Sequence, residues 1–126
     1  MAKRIVVIDD SGLIRGAARM GLERFGGHEA LVTASGAEGL SIAQTARPDA
    51  ILLDVVMPDL DGPATLACLQ ASAETRDVPV VFMTGLDDAV RLAHLRTLPG
   101  VVDVIAKPFD VQRLPTLLQT ALGWPD

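Results

Sequence analysis

The side chains able to do chemistry in this chain sit at the ends of apolar runs. "RIVVIDDSG", Arg4 to Gly12, carries Ile5–Ile8 straight into the acids Asp9 and Asp10. "AILLD" ends in Asp54, "VVFMTG" leads to Thr84, and "VVDVIAKP" reaches Lys107. If these runs are strands of one sheet, three carboxylates, a hydroxyl and an ammonium group gather on one rim. Two unit charges about 4 Å apart repel by roughly 4 kcal/mol at an effective dielectric of 20, so the acids need protons or cations. Lys107 supplies one positive charge. A hard divalent ion supplies the rest, and carboxylates with water suit Mg2+. Such a rim is equipped for phosphoryl transfer, where positioning and charge neutralisation are most of the work. An aspartate can itself accept the group, as an aspartyl-phosphate.

The elements that must position these groups alternate along the chain. Runs rich in Val, Ile and Leu predict strands at Ile5–Ile8, Ala30–Thr33, Ala50–Leu53, Val80–Met83 and Val101–Ile105. Helical spacing separates them. Leu13, Ala17, Met20, Leu22 and Phe25 mark a first helix, stopped by Gly26-Gly27. Ala37, Leu40 and Ala43 mark a second, Ala64 to Leu69 a third, Val90 to Leu98 a fourth and Leu114 to Leu122 the last. Five βα units predict a parallel sheet with helices on both faces, and right-handed crossovers reduce the topology to a doubly wound α/β fold. In such open sheets ligands bind at the carboxyl ends of the strands. Two features fit less well. Gly12, Gly16 and Gly21 weaken the first helix, and Pro115, about one turn into the last, predicts a late or irregular start.

Composition bounds the function. The chain has 126 residues, 49% hydrophobic and 21% charged, one domain able to bury a core (residues 1–126). No apolar run approaches the roughly 20 residues of a membrane span, and the opening residues lack a signal peptide, which points to the cytoplasm. A net charge of −5 advertises no nucleic-acid surface. Arg15, Arg19 and Arg24 share a face of the first helix and read as a solvated face. The lone Cys68 reads as a small buried hydrophobe. His94, on a helix without a supporting charged motif, does not read as a phosphodonor.

With "VIDDS", "LLDVVMPDLDG", "VVFMTG" and "IAKPF" in that order and spacing, the chain from about Lys3 to Leu122 resembles the receiver domain of two-component response regulators. The resemblance implies a flavodoxin-like five-stranded sheet of order 2-1-3-4-5 with five helices. It implies Asp54 as the phosphoacceptor, taking the group from a sensor histidine kinase or histidine phosphotransfer protein. It implies Mg2+ held directly by Asp10, with Asp9 helping directly or through water and Asp54 and the backbone carbonyl of Val56 completing the protein ligands. Lys107 would pair with a phosphoryl oxygen, Thr84 would turn its hydroxyl onto the new group, and Lys107-Pro108 would be cis. A downstream protein target, or a second copy in a homodimer, would dock on helix four, strand five and the last helix.

The chain departs from the family pattern at Val104, where an aromatic is usual, and at Gly85 after Thr84. A valine has no ring to swing, so the switch is expected to run through the backbone between Thr84 and Asp88. Val56 and Leu86, each two residues past a reactive group, cannot orient a water, which predicts a long-lived phosphoryl state. Asp59 and Asp61 in "MPDLDG" read as turn and helix-cap residues, with Gly62 serving the turn. A haloacid-dehalogenase-type phosphatase would want a second acid where Val56 stands. An FMN carrier would not put Asp9 and Asp10 where a phosphate binds, and a docking-only pseudo-receiver would not keep the full set of reactive residues. The chain reads as a stand-alone receiver or as one domain cut from a longer regulator or hybrid kinase.

Overall fold

The computed structural model describes residues 2–125. Five strands form one parallel sheet: β1 (Arg4–Ile8), β2 (Glu29–Thr33), β3 (Ala50–Asp54), β4 (Val80–Thr84) and β5 (Val101–Ala106), in the order β2-β1-β3-β4-β5. The helices are α1 (Gly12–Met20), α2 (Gly36–Ala46), α3 (Gly62–Ala71), α4 (Ala89–Arg96) and α5 (Leu114–Leu122). This is the expected doubly wound flavodoxin-like arrangement. β3 and β4 are buried along their whole length, as central strands covered on both faces must be.

Alternation along the strands builds two cores. Val6, Ile8, Ile51, Leu53, Val80 and Phe82 face one way and pack with Ala43, Leu66, Leu69 and Leu95 of α2, α3 and α4. Ile5, Val7, Leu52, Val81, Met83 and Ile105 face the other way and pack with Ala18, Leu22, Leu114 and Leu118. Because strand side chains repeat every two residues, Asp9 continues the row of Ile5 and Val7. Asp54 continues that of Leu52, and Lys107 that of Ile105. All three leave the sheet toward the side covered by α1 and α5. Thr84 continues the row of Phe82 on the opposite side.

Local details revise several expectations. The first helix is not one α-helix to Phe25: after Met20 the chain widens into a π-helical turn, Gly21–Phe25. A Cβ on Gly21 would lie 2.6 Å from the Val111 carbonyl oxygen, so the absent side chain lets α5's entry pack closely there. Pro115 does not sit a turn inside the last helix. It occupies the first helical positions of α5, where its missing N–H costs nothing. Cys68 is half-buried rather than part of the core. Gly62 opens α3 rather than a turn, and a Cβ there would lie 2.5 Å from the Asp54 carbonyl oxygen and 2.7 Å from Val55 Cα. Asp61 caps α3 by accepting the Ala64 N–H at 2.9 Å, as expected of it, and Asp59 takes a positive φ of 66°.

Candidate functional site

Asp9, Asp10 and Asp54 meet at the carboxyl rim: one carboxylate oxygen from each lies within 4.8 Å of the others. Parallel pairing brings this about. Ile8 stands opposite Leu53, so the residues that follow in β1 and β3 emerge side by side. Asp9 is fully buried, and each of its carboxylate oxygens accepts one hydrogen bond. Its Oδ1 accepts the Ser11 N–H at 2.8 Å, and its Oδ2 accepts from Lys107 Nζ at 3.0 Å. Asp10 is exposed, and among the described residues no protein donor reaches its carboxylate. Asp54 is 3% exposed and accepts from the same Lys107 Nζ at 3.0 Å.

Lys107 is therefore shared between two buried acids from two strands. β4 aims it, because the Lys107 N–H donates to the Thr84 carbonyl at 2.8 Å and fixes the chain just before the cis Lys107-Pro108 bond. Burial pushes the Asp54 carboxyl up from the ordinary value, with the Asp9 charge adding to it. Lys107 and the Val56 N–H pull it back in part. Burial alone would lower the Lys107 ammonium, but the hydrogen bonds and charges of Asp54 and Asp9 outweigh it and raise its pKa. Three ionised carboxylates against one ammonium leave a formal charge of −3 + 1 = −2, and the oxygen donors suit a small hard cation. The residues present fit Mg2+.

The two remaining expected residues lie at the edge of the cluster. Thr84 is buried, and its Oγ1 accepts the Leu86 N–H at 3.0 Å, tying the strand end to the loop that leads to α4. Val56 lies two residues past the acid and is 63% exposed, between the buried Val55 and Met57. Val104 is half-buried against the α2–α3–α4 core. Leu92 of α4 and Leu98 just after it also pack there, while Val90 at the start of α4 is exposed.

One contributor was misread in the sequence as a solvated residue. Arg15 folds back along α1, and its Nη1 donates to the Asp9 carbonyl at 2.8 Å. The signal was available: helical side chains lean toward the N-terminus, and Ser11 caps α1 just after the two acids. Arg19 is an exposed partner of Glu23, as a solvated face would have it.

A doubly wound sheet of this strand order, with acids and a lysine on its carboxyl rim, defines a flavodoxin-like α/β fold with a candidate cation site. The family model for the response regulator receiver domain matches residues 5–119, and the chain belongs to that family. It is 34% identical over 123 residues to response regulator MprA of Mycobacterium bovis, covering 97% of this chain and 51% of that protein. It is 37% identical over 106 residues to a protein-glutamate methylesterase/protein-glutamine glutaminase of Rhodospirillum rubrum, covering 83% of this chain and 28% of that protein. The chain thus spans about half or less of these curated relatives. Among solved structures it resembles the chemotaxis protein CheY4 of Vibrio cholerae, with a TM-score of 0.87, 26% identity and coverage of 96% and 99% of the two chains. It also resembles the receiver domain of a sensor histidine kinase of Pseudomonas aeruginosa, solved with magnesium coordinated in its active-site cleft. There the TM-score is 0.83, the identity 27% and the coverage 98% and 99%. The chain is a receiver domain of two-component signalling, a class that serves as a signalling phosphoacceptor for histidine kinases and acts on downstream targets.

Proposed function

We propose that Asp54 is the phosphoacceptor, charged from a phosphohistidine on a sensor histidine kinase or a histidine phosphotransfer protein. The observation that carries this reading is the single ammonium group shared, at 3.0 Å each, by Asp9 and Asp54. Burial raises the Asp54 pKa, and the hydrogen bond and charge of Lys107 pull against that rise, toward the carboxylate form that attacks. An Asp54 oxygen forms a bond to phosphorus as the donor's N–P bond breaks, and the departing imidazole takes up a proton. Lys107 then follows the negative charge from the carboxylate to a phosphoryl oxygen, a charge-assisted contact on the same stem. Asp10, Asp9, Asp54 and the Val56 carbonyl would hold Mg2+. When bound, that ion supplies neutralisation of the oxygens of the transferring group.

The new group adds about −1.5 to −2 charges. Thr84 is the nearest hydroxyl on the neighbouring strand, and turning toward the phosphoryl group would cost it the bond from the Leu86 N–H. The signal then runs along Gly85–Asp88 into α4, since Val104 has no ring to carry it. The α4–β5–α5 face would receive a downstream protein target or a second copy of the chain. The same chemistry serves a stand-alone receiver and one set within a longer regulator or hybrid kinase. The reading assigns the chain to the cytoplasm, without direct nucleic-acid or membrane contact.

The test treats wild type and Asp54→Asn with Mg2+ and a small phosphodonor. Intact mass should rise by one phosphoryl group in wild type only, and only with the ion present. Beryllofluoride should shift the backbone amides of Gly85–Asp88 in wild type. Labelling of Asp54→Asn, or labelling indifferent to Mg2+, overturns the assignment.

A further inference from the structure

At the pole of the sheet opposite the acidic rim, one histidine ties three elements together. The Lys3 backbone N–H, just before β1, donates to His28 Nδ1 at 3.0 Å, and the Glu29 N–H returns to the Lys3 carbonyl at 2.9 Å. The His28 ring lies 5.8 Å from that of Trp124, tilted by 59°, and Lys3 Nζ stands 5.4 Å from the Trp124 ring centre. Trp124 follows Gly123, the cap of α5, and is held by its N–H on the Gln119 carbonyl at 3.0 Å. Between these groups and Phe25, Gly26 and Pro115 is a cavity of about 350 Å3.

We propose that His28 is the catch of a proton-operated clasp, which holds the end of α5 against the first residues of β1 and β2 and lets it go on acidification.

A backbone N–H can only donate, so the nitrogen it meets must carry a lone pair. His28 is therefore the neutral tautomer with its proton on Nε2. Protonation would put a second N–H on Nδ1, donor against donor, and a positive ring beside Lys3. The charged groups around it do not offset this. Arg4 pairs with Glu29, Asp49 accepts the Arg4 N–H, and Glu23 is engaged by Arg19 and the Ala30 N–H. The residues of α5 at the cavity, Pro115, Thr116 and Gln119, carry no charge. Burial first, then nearby positive charge that includes Lys3, holds the His28 pKa below its ordinary value, against a smaller pull from Asp49. A depressed histidine contributes stability that is complete above the unfolded pKa of about 6.5 and is lost as pH falls below it. Acid therefore opens the clasp.

Trp124 is the sole tryptophan and the chain has no tyrosine, so its emission reads the clasp directly. The emission is titrated from pH 8 to pH 5 in wild type, His28→Gln and Lys3→Gln, with far-ultraviolet circular dichroism as a check on folding. Wild type should show one step with a midpoint below 6.5. His28→Gln, an acceptor that does not titrate, should abolish it, and Lys3→Gln should move the midpoint upward. The 15N shifts of the wild-type imidazole at pH 8 decide the tautomer even if a variant fails to fold. A flat wild-type titration, a step that survives His28→Gln, or a proton on Nδ1 at pH 8 overturns the proposal.

Discussion

Replacing Lys107 by methionine keeps the aliphatic stem and removes the charge that two acids share. The side chains involved are 0% exposed for Asp9, 4% for Asp54 and 18% for Lys107, so water screens the group little. Removing one partner from such a buried ion group costs about 3–5 kcal/mol. An independent ceiling comes from proton uptake. The stranded pair can relieve itself by protonating Asp54, whose carboxyl burial already pushes up. For a carboxyl with an ordinary pKa of 3.8, that costs about 1.36 × (7 − 3.8), or about 4.4 kcal/mol, at pH 7. The two routes agree at about 4 kcal/mol. At pH 5 the same product is only about 1.6 kcal/mol. The sign follows: the folded variant keeps a proton that the unfolded chain releases above 3.8, so its deficit grows with rising pH and fades near pH 4. Urea denaturation of both proteins at pH 5 and pH 7 measures this, repeated with millimolar Mg2+. The deficit should shrink by about 3 kcal/mol at the lower pH and recover in part with the ion. An equal deficit at both pH values, unmoved by Mg2+, refutes the claim that the acids depend on a shared cation.

Two further outcomes follow from the packing around the rim. Gly62→Ala drives a Cβ into the Asp54 carbonyl oxygen and Val55 Cα at 2.5 and 2.7 Å. Backbone cannot step aside, so stability should fall by about 1–3 kcal/mol or more and phosphoryl uptake with it; a variant with unchanged melting temperature and uptake contradicts the geometry. Val56, 63% exposed beside the acceptor, cannot orient a water, so the wild-type phosphoryl label should outlast minutes in a kinase-free sample and Val56→Gln should shorten its life several-fold. Loss of the wild-type label within seconds, or an unaltered decay in the variant, counts against that role.

The fold was legible because the apolar runs are short, rich in β-branched residues and alternate with helical segments, a pattern that suits a parallel sheet covered on both faces. The rim residues were legible for a related reason: charges cannot sit inside such a run, so they mark its end. Errors fell where tertiary contact overrode local pattern. The helical spacing through Phe25 hid the π-helical turn at Gly21, which exists where α5's entry presses against the helix. Gly62 reads as a turn residue, yet its small size serves the close approach of α3 to β3. Arg15 reads as a surface charge, yet it reaches back to the Asp9 carbonyl.

The sequence by itself determined which residue types reach the carboxyl ends of the strands and that their charges need a cation. Only the tertiary structure decided that Asp9, Asp54 and Lys107 share one side of the sheet and one ammonium group, with Asp10 left open to solvent. The physical reason is register. A strand's period of two makes a one-residue slip send a side chain to the opposite face, and the pairing that forbids the slip is made by residues far apart in the chain.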